Sequence, residues 1–391
     1  MFVFFITQLV YHRKKVKSKL TNWRELVITK TMHQPYFVQT QQWAEFWQLA
    51  NPVNHTYFWI ETKNEQHKLK FLVCQYPWHL KQNLWYVSKG GILEDIKTGE
   101  INNWNNITKA DLQQLFLTLV NELNMKAKKQ NITFVKYDFE EEMIQKLELE
   151  SNQAVLELLQ KNIHSNTLIS NKIIQFLSTM TLAFDIVQNV KTIEEYTKEN
   201  LSEFWNETKS FWKTTNSNVK RYTKKSIEKS WVVSTEKSQE NFEKFFRIYN
   251  HTKDTRGFAI QSRDYLLKLY AQNFSKIIII NDENDEPQCV WYGIQIGDTQ
   301  TYLYGGNTQK SFDDYGQYLV HLIALNLGLK DGAKFYDLGG YDPNMGYGKF
   351  KDNYKGTIRT FSGVFDVPIN NWKYKATNAI ISVIKKIQSI F

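Results

Sequence analysis

Hydrophobic and polar positions along this chain follow two periods in a repeating order. Lys68–Tyr76 alternates with period two and carries Phe, Val and Cys, which predicts a strand closed by Pro77. Phe58–Glu61 and Leu84–Ser88 (LWYVS) predict two more strands, the second ended by Lys89-Gly90-Gly91, and a short helix around Gln42–Leu49 precedes them. The period then lengthens. Leu112, Leu115, Leu117, Leu119, Val120 and Leu123 give Lys109–Lys129 one apolar helical face, and Ile132–Phe139 (ITFVKYDF) returns to a strand. After helices at Glu240–Asn250 and Arg263–Phe274 the order recurs. Lys276–Asn281, Gln288–Ile296 and Thr301–Gly305 are strands, Asp314–Leu327 is a long helix and Lys334–Leu338 is the closing strand. Both closing strands contain Tyr-Asp, at Tyr137-Asp138 and Tyr336-Asp337. Strands in runs, each run closed by a helix and a strand, predict an α+β or α/β protein with mixed sheets and not a bundle. The boundary between the copies falls near 175–190, where Thr181–Val187 starts a new strand.

Composition changes this picture little. With 391 residues, 42% hydrophobic and 23% charged, the chain can bury two ordinary cores. The net charge of +9 favours polyanionic partners such as tRNA, diphosphate nucleotides or an anionic membrane surface. Cys74 and Cys289 are far apart and form no CxxC pattern, and no two of the eight histidines stand at metal-ligand spacing. We therefore expect no disulfide framework, no metal and no cofactor. Met1–Val10 is apolar but about half the ~20 residues needed to span a bilayer. Its basic run, His12–Lys19, follows the apolar stretch where a secretory signal would place it first. Residues 1–31 read as an extension or a mis-called start, with folded protein from Met32. Lys213–Lys229 is the densest basic stretch, and by itself suits a solvated helix face as well as a phosphate-binding edge.

A set of landmarks running from Trp43-Ala44 to the C-terminus resembles a known family. Tyr86–Gly91 is an aromatic strand ending in a basic residue and glycines, and Tyr137-Asp138 follows it. Thr181–Asp185 opens the second copy, with Phe184 where Leu is usual. Lys220–Ser226 is a basic helix, and Gly257-Phe258 and Asp264-Tyr265 come after it. The most specific block is C-terminal: Tyr302–Asn307, a helix, Tyr336-Asp337-Leu338-Gly339-Gly340, then Gly348-Lys349-Phe350-Lys351 and Gly356. In this order the landmarks resemble the FemABX family of peptidoglycan-bridge aminoacyltransferases.

The resemblance implies two tandem GNAT-like domains. The first would be residues 32–180, completed by the tail 362–391, and the second 181–361. The span Lys225–Arg256 is too short for the coiled-coil arm of some relatives. The implied activity is transfer of an amino acid from aminoacyl-tRNA to the stem-peptide amine of a peptidoglycan precursor, either UDP-MurNAc-pentapeptide or lipid II. A cytoplasmic protein is implied, with peripheral contact at the inner membrane leaflet as an open alternative. Lys351, steadied by Phe350, would stabilise the oxyanion, and Asp138 could take the amine's proton. Tyr265, Tyr304, Arg256 and Arg263 would bind substrate, and Lys220, Arg221, Lys224 and Lys225 would hold tRNA. A basic residue expected after Trp43-Ala44 is replaced by Glu45-Phe46-Trp47, and Gln261 stands where a second is expected. Two other readings are a CoA-dependent N-acyltransferase of the same fold and a non-catalytic precursor-binding relative. A CoA site needs a glycine-spaced loop opening a helix, and Gly306–Gln317 offers Asp313-Asp314 instead. In the tail, Trp372, Ala376, Ala379, Ile380, Val383, Ile384 and Ile387 fall at helical spacing and predict one stripe buried against residues 33–170. The rival reading is an amphipathic helix lying on the membrane, which Lys373, Lys375, Lys385 and Lys386 also suit.

Overall fold

The computed structural model describes residues 35–51, 53, 55–78, 81–149, 158, 170–171, 178–183, 189–256 and 260–388. The expected extension 1–31, Met32 and the Phe184-Asp185 and Gly257-Phe258 landmarks lie outside these residues. β1 (Thr56–Lys63), β2 (His67–Trp78) and β3 (Gln82–Gly90) form an antiparallel meander, with β4 (Ile92–Asp95) paired on β2. The helix Lys109–Lys129 then crosses over to β5 (Phe134–Glu140), which lies parallel to β3. Thr108 caps this helix by accepting from the Asp111 amide, and Lys126, Lys128 and Lys129 sit in its last turn, where the helix dipole favours cations. Its face of Leu112, Leu115, Phe116, Leu119, Val120 and Leu123 packs on Trp85, Val87, Val135, Tyr137 and Phe139. Each such side chain contributes about 1.5–3 kcal/mol on burial.

After the short strands β6 (Ser170–Asn171), β7 (Ser178–Ala183) and β8 (Val232–Ser234), the same device recurs. β9 (Ser275–Asn281), β10 (Pro287–Ile296) and β11 (Thr299–Asn307) form a second antiparallel meander. The helix Gly316–Lys330 crosses over to β12 (Phe335–Gly340), parallel to β11. The last strand, β13 (Thr357–Pro368), was not legible as an element. It pairs antiparallel with β5 on one side and β7 on the other, and so joins the halves. The order is β1-β2-β3-β5-β13-β7-β12-β11-β10-β9-β8. The fold is α+β, and the chain between Lys225 and Arg256 holds the end of the helix Ser217–Ile227, β8 and the single helix Gln239–Arg256, with no coiled-coil arm.

Three local expectations are corrected. Pro77 lies inside β2, opposite Asn83, and does not close it. The pairing of β2 with β1 stops at Gln75 opposite Thr56, so on that side β2 is an edge at Pro77, and a missing N–H breaks no ladder there. The long helix starts at Gly316, not Asp314, because Tyr315 adopts left-handed φ 63° with its ring stacked 4.2 Å from that of Tyr222. The tail helix Asn371–Gln388 does not bury the expected stripe. It packs through Tyr374 against Leu84, Tyr86 and Phe134, and leaves Trp372, Ile380 and Val383 exposed at 76%, 44% and 56%. The polar residues decide this orientation. Tyr374 Oη donates to Asp366 at 2.7 Å, and Gln82 Nε2 donates to Thr377 Oγ1 at 2.9 Å. No helix among the described residues is long and apolar enough to cross a membrane.

Candidate active site

The two Tyr-Asp strands place the same chemistry in each half. Strand alternation sends the tyrosines to the crossover helices and the aspartates to the opposite face. Tyr137 Oη donates to Asn124 on the first helix at 3.0 Å. Tyr336 accepts from Trp291 Nε1 at 2.9 Å and lies 2.6 Å from Nδ1 of His321 on the second helix. Burial, then the nearby Lys351 charge, pushes His321 down to about 3, so the ring is neutral and Nδ1 can accept the tyrosine proton.

On the opposite face β5 carries Lys136, Asp138 and Glu140 in succession, all buried. Each is paired. Lys136 meets Asp366, which stands directly across on β13, and Glu140 meets Arg359 of β13. Asp138 lies 2.9 Å from Lys89 Nζ. The left-handed backbone at Lys89, φ 52° before Gly90-Gly91, is a local strain in a buried charged cluster. The ammonium rests 3.6 Å from the Phe361 ring centroid. Burial raises Asp138 to about 6 against the lowering pull of Lys89, and burial lowers Lys89. Removing one partner of such a pair strands the other charge in the interior. Lys136→Met should therefore cost about 3 kcal/mol of stability, read as a lowered denaturant midpoint at unchanged slope.

Arg359 sits where the halves meet, opposite Thr179 in the β13–β7 register, and its charge acts on both Glu140 and Asp337. Tyr36 packs edge-on against Phe361, at 5.3 Å, and Arg359 lies 5.6 Å from its ring. Burial, then Asp337, raises the Tyr36 hydroxyl, with Arg359 opposing and Asp138 adding. Both aspartates thus act on one seam. Buried Gln39 ties this segment down, donating to Ser88 O at 2.7 Å and accepting from the Leu72 amide at 2.9 Å.

Lys351 lies in the short helix Gly346–Asp352, 8% exposed. Its Nζ donates to Gly340 O at 2.6 Å, with the Tyr347 and Tyr302 rings at 5.3 and 6.0 Å. Burial lowers it to about 8, opposed by Asp337. Burial raises Asp337 to about 6, opposed first by the Gly339 amide, which donates to it at 2.7 Å. Gly339 is required here: it has φ 76°, and a Cβ would come 2.6 Å from Tyr302 O. Phe350 packs on Tyr318, His321 and Tyr354 and holds the lysine's helix to the core.

The other expected site residues are dispersed. Tyr265 and Tyr304 hydrogen-bond each other within an aromatic cluster with Tyr249 and Phe46, and burial raises both hydroxyls. Phe46 brings the helix Gln41–Ala50 into this second core. Arg263 pairs with Glu243 at the surface, and Arg256 ends the helix Gln239–Arg256. The basic helix Ser217–Ile227 buries Val219, Thr223, Ser226 and Ile227 and leaves Arg221, Lys224 and Lys225 exposed and Lys220 half-exposed. Its Asn216 cap donates its amide to Asn353 O at 2.8 Å, two residues beyond Lys351. The seam residues Tyr36, Glu140 and Arg359 were missed in the sequence, as was the role of Lys89. The one available signal was the spacing of Lys136, Asp138 and Glu140 on one face of a strand that must be buried.

The sequence model of the FemAB family matches residues 291–382. The crystal structure of FemX superposes with TM-score 0.59 at 14% identity, covering 87% of this chain and 94% of FemX. L-PGS from Bacillus licheniformis gives TM-score 0.42 at 11% identity, covering 81% of this chain and 85% of that one. A tandem GNAT protein from the clavulanic acid biosynthesis pathway gives 0.44 at 7% identity, covering 84% and 94%. No curated protein matches the sequence. The fold is that of two tandem GNAT-like units. The segment that matches the FemAB family model spans β10 to the tail helix, and the likeness to FemX extends the same fold over most of the rest of the chain.

Proposed function

We propose that this chain transfers an amino acid from aminoacyl-tRNA to the stem-peptide amine of a peptidoglycan precursor, UDP-MurNAc-pentapeptide or lipid II. The observation that carries the reading is Lys351: a buried ammonium, held by the Gly340 carbonyl, inside the FemAB-matched segment. Attack of an amine on the tRNA ester forms the C–N bond and puts negative charge on the carbonyl oxygen, which a fixed cation in a water-poor site stabilises. The C–O bond to the tRNA then breaks and the ribose oxygen leaves as a protonated hydroxyl. Phe350 holds the segment, and Asp138, raised to about 6, takes the amine's proton. Tyr265, Tyr304, Arg256 and Arg263 serve the acceptor side, and the basic helix the tRNA. In this reading residues 32–180, completed by 362–391, form one unit and 181–361 the other.

The CoA alternative meets an occupied loop. Asp314 pairs with Lys229 at 2.6 Å and Lys310 at 3.4 Å just before the helix at Gly316, and a carboxylate there repels a pyrophosphate.

The mechanism fixes a pH profile. The protonated lysine is the active form and burial holds it near 8, so kcat/KM falls as pH rises through about 8. The base must be ionised, so the rate rises as pH climbs through about 6. Lys351→Arg keeps a cation that does not titrate in this range and should remove the alkaline limb from whatever activity remains. An alkaline limb retained in that variant contradicts the assignment.

A further inference from the structure

We infer that the C-terminal helix Asn371–Gln388 is a docking surface for an anionic lipid membrane. Its inner face is fixed by Tyr374 and Thr377, through Asp366 and Gln82. At 100° per residue, Trp372, Val383 and Ile380 fall within an arc of about 80° on the outer side. All three are exposed, at 76%, 56% and 44%, and Ala379 beside them is exposed too. The stripe is therefore not part of the core. It is the kind of face that an interfacial helix presents, with a tryptophan at one end.

Charge identifies what covers it. The segment 371–388 contains Lys373, Lys375, Lys385 and Lys386 and no acidic residue. Lys375 is exposed on one flank of the stripe, and Lys373 stands on the other and donates to Asn131 at 3.1 Å. Asn131 follows the exposed Lys128 and Lys129 at the end of the first crossover helix. Exposed Lys81 precedes Gln82, which holds Thr377. An apolar stripe rimmed by cations complements a leaflet of anionic headgroups over acyl chains. It repels a second copy of itself, and also the basic His12–Lys19 run of this chain. This inference stands apart from the proposed reaction, since it concerns neither Lys351 nor the donor.

The full chain should co-sediment with vesicles of phosphatidylcholine mixed with phosphatidylglycerol, and much less with phosphatidylcholine alone. The double variant Trp372→Ser, Val383→Ser should reduce partitioning by about tenfold or more at unchanged melting temperature. Lys373→Glu with Lys375→Glu should reduce it by a similar factor, and added salt should weaken the wild type. Three results would overturn the inference. One is absence of wild-type binding to the anionic vesicles. Another is wild-type sedimentation by either double variant, which would move the contact to residues 1–31 or another face. The last is a concentration-dependent dimer abolished by Trp372→Ser in a protein that ignores vesicles.

Discussion

Lys351→Met should reduce turnover by about a hundredfold or more and leave the melting temperature nearly unchanged. The size follows from what the ammonium is asked to supply. One fixed donor to a developing oxyanion is worth roughly 3–4 kcal/mol of barrier in a site that excludes water, and Lys351 is 8% exposed. The insensitivity of stability follows from the same burial. The folded protein disfavours the lysine's charged form, which is why its pKa falls to about 8, so removing that charge takes away an unfavourable state. Methionine fills similar volume against Tyr347 and Tyr302. Asp337, already raised to about 6, can take a proton when its neighbouring cation is gone. The loss should fall on kcat with KM for both substrates nearly constant, because the interaction is made in the transition state. Wild-type turnover in this variant would remove Lys351 from the chemistry.

The second large effect concerns the donor. A tRNA is held through its phosphates, so affinity depends on clustered cations and falls steeply with salt. Arg221, Lys224 and Lys225 are exposed on one helix whose cap is hydrogen-bonded two residues past Lys351. Four phosphate contacts would weaken binding roughly fiftyfold between about 50 and 200 mM salt. Arg221→Glu with Lys224→Glu should raise KM for charged tRNA by at least about tenfold and leave KM for the acceptor almost unchanged. Among the described residues Arg221 donates to Asn218 and Tyr222 of its own helix, so the reversal leaves the core intact. Equal shifts in both KM values, or none, would take the tRNA off this face.

The crossover helices and meanders were legible because each buries one apolar face, so residues such as Leu112, Leu115 and Leu119 declare themselves by spacing. β13 was not legible. Its sequence TIRTFSGVFDVP buries Asp366, and Arg359 is paired with a buried glutamate, so polar residues stand where a core strand would show apolar ones. The same charges built the seam. Lys136, Asp138 and Glu140 are buried because partners on β3 and β13 neutralise them, and those partners are distant in sequence. Nothing local in KYDFE says that its carboxylates are paired. The tail failed for the opposite reason. Its apolar spacing was read as a buried stripe, and it is Tyr374 and Thr377, with polar atoms to satisfy, that face inward. Lys351 was singled out by the ordered block from Tyr302 to Gly356, where each short piece is weak and their order is specific.

The most direct test of aminoacyl transfer is a product mass. Purified full-length chain would be incubated with UDP-MurNAc-pentapeptide, or with lipid II in detergent, and a mixture of charged tRNAs, with acetyl-CoA supplied in a parallel reaction. We expect the acceptor to gain the mass of one or more amino-acid residues, only when tRNA is charged, and to gain nothing after RNase treatment. A mass gain from acetyl-CoA that RNase leaves intact, or an unmodified acceptor with every charged tRNA, would contradict the proposed function.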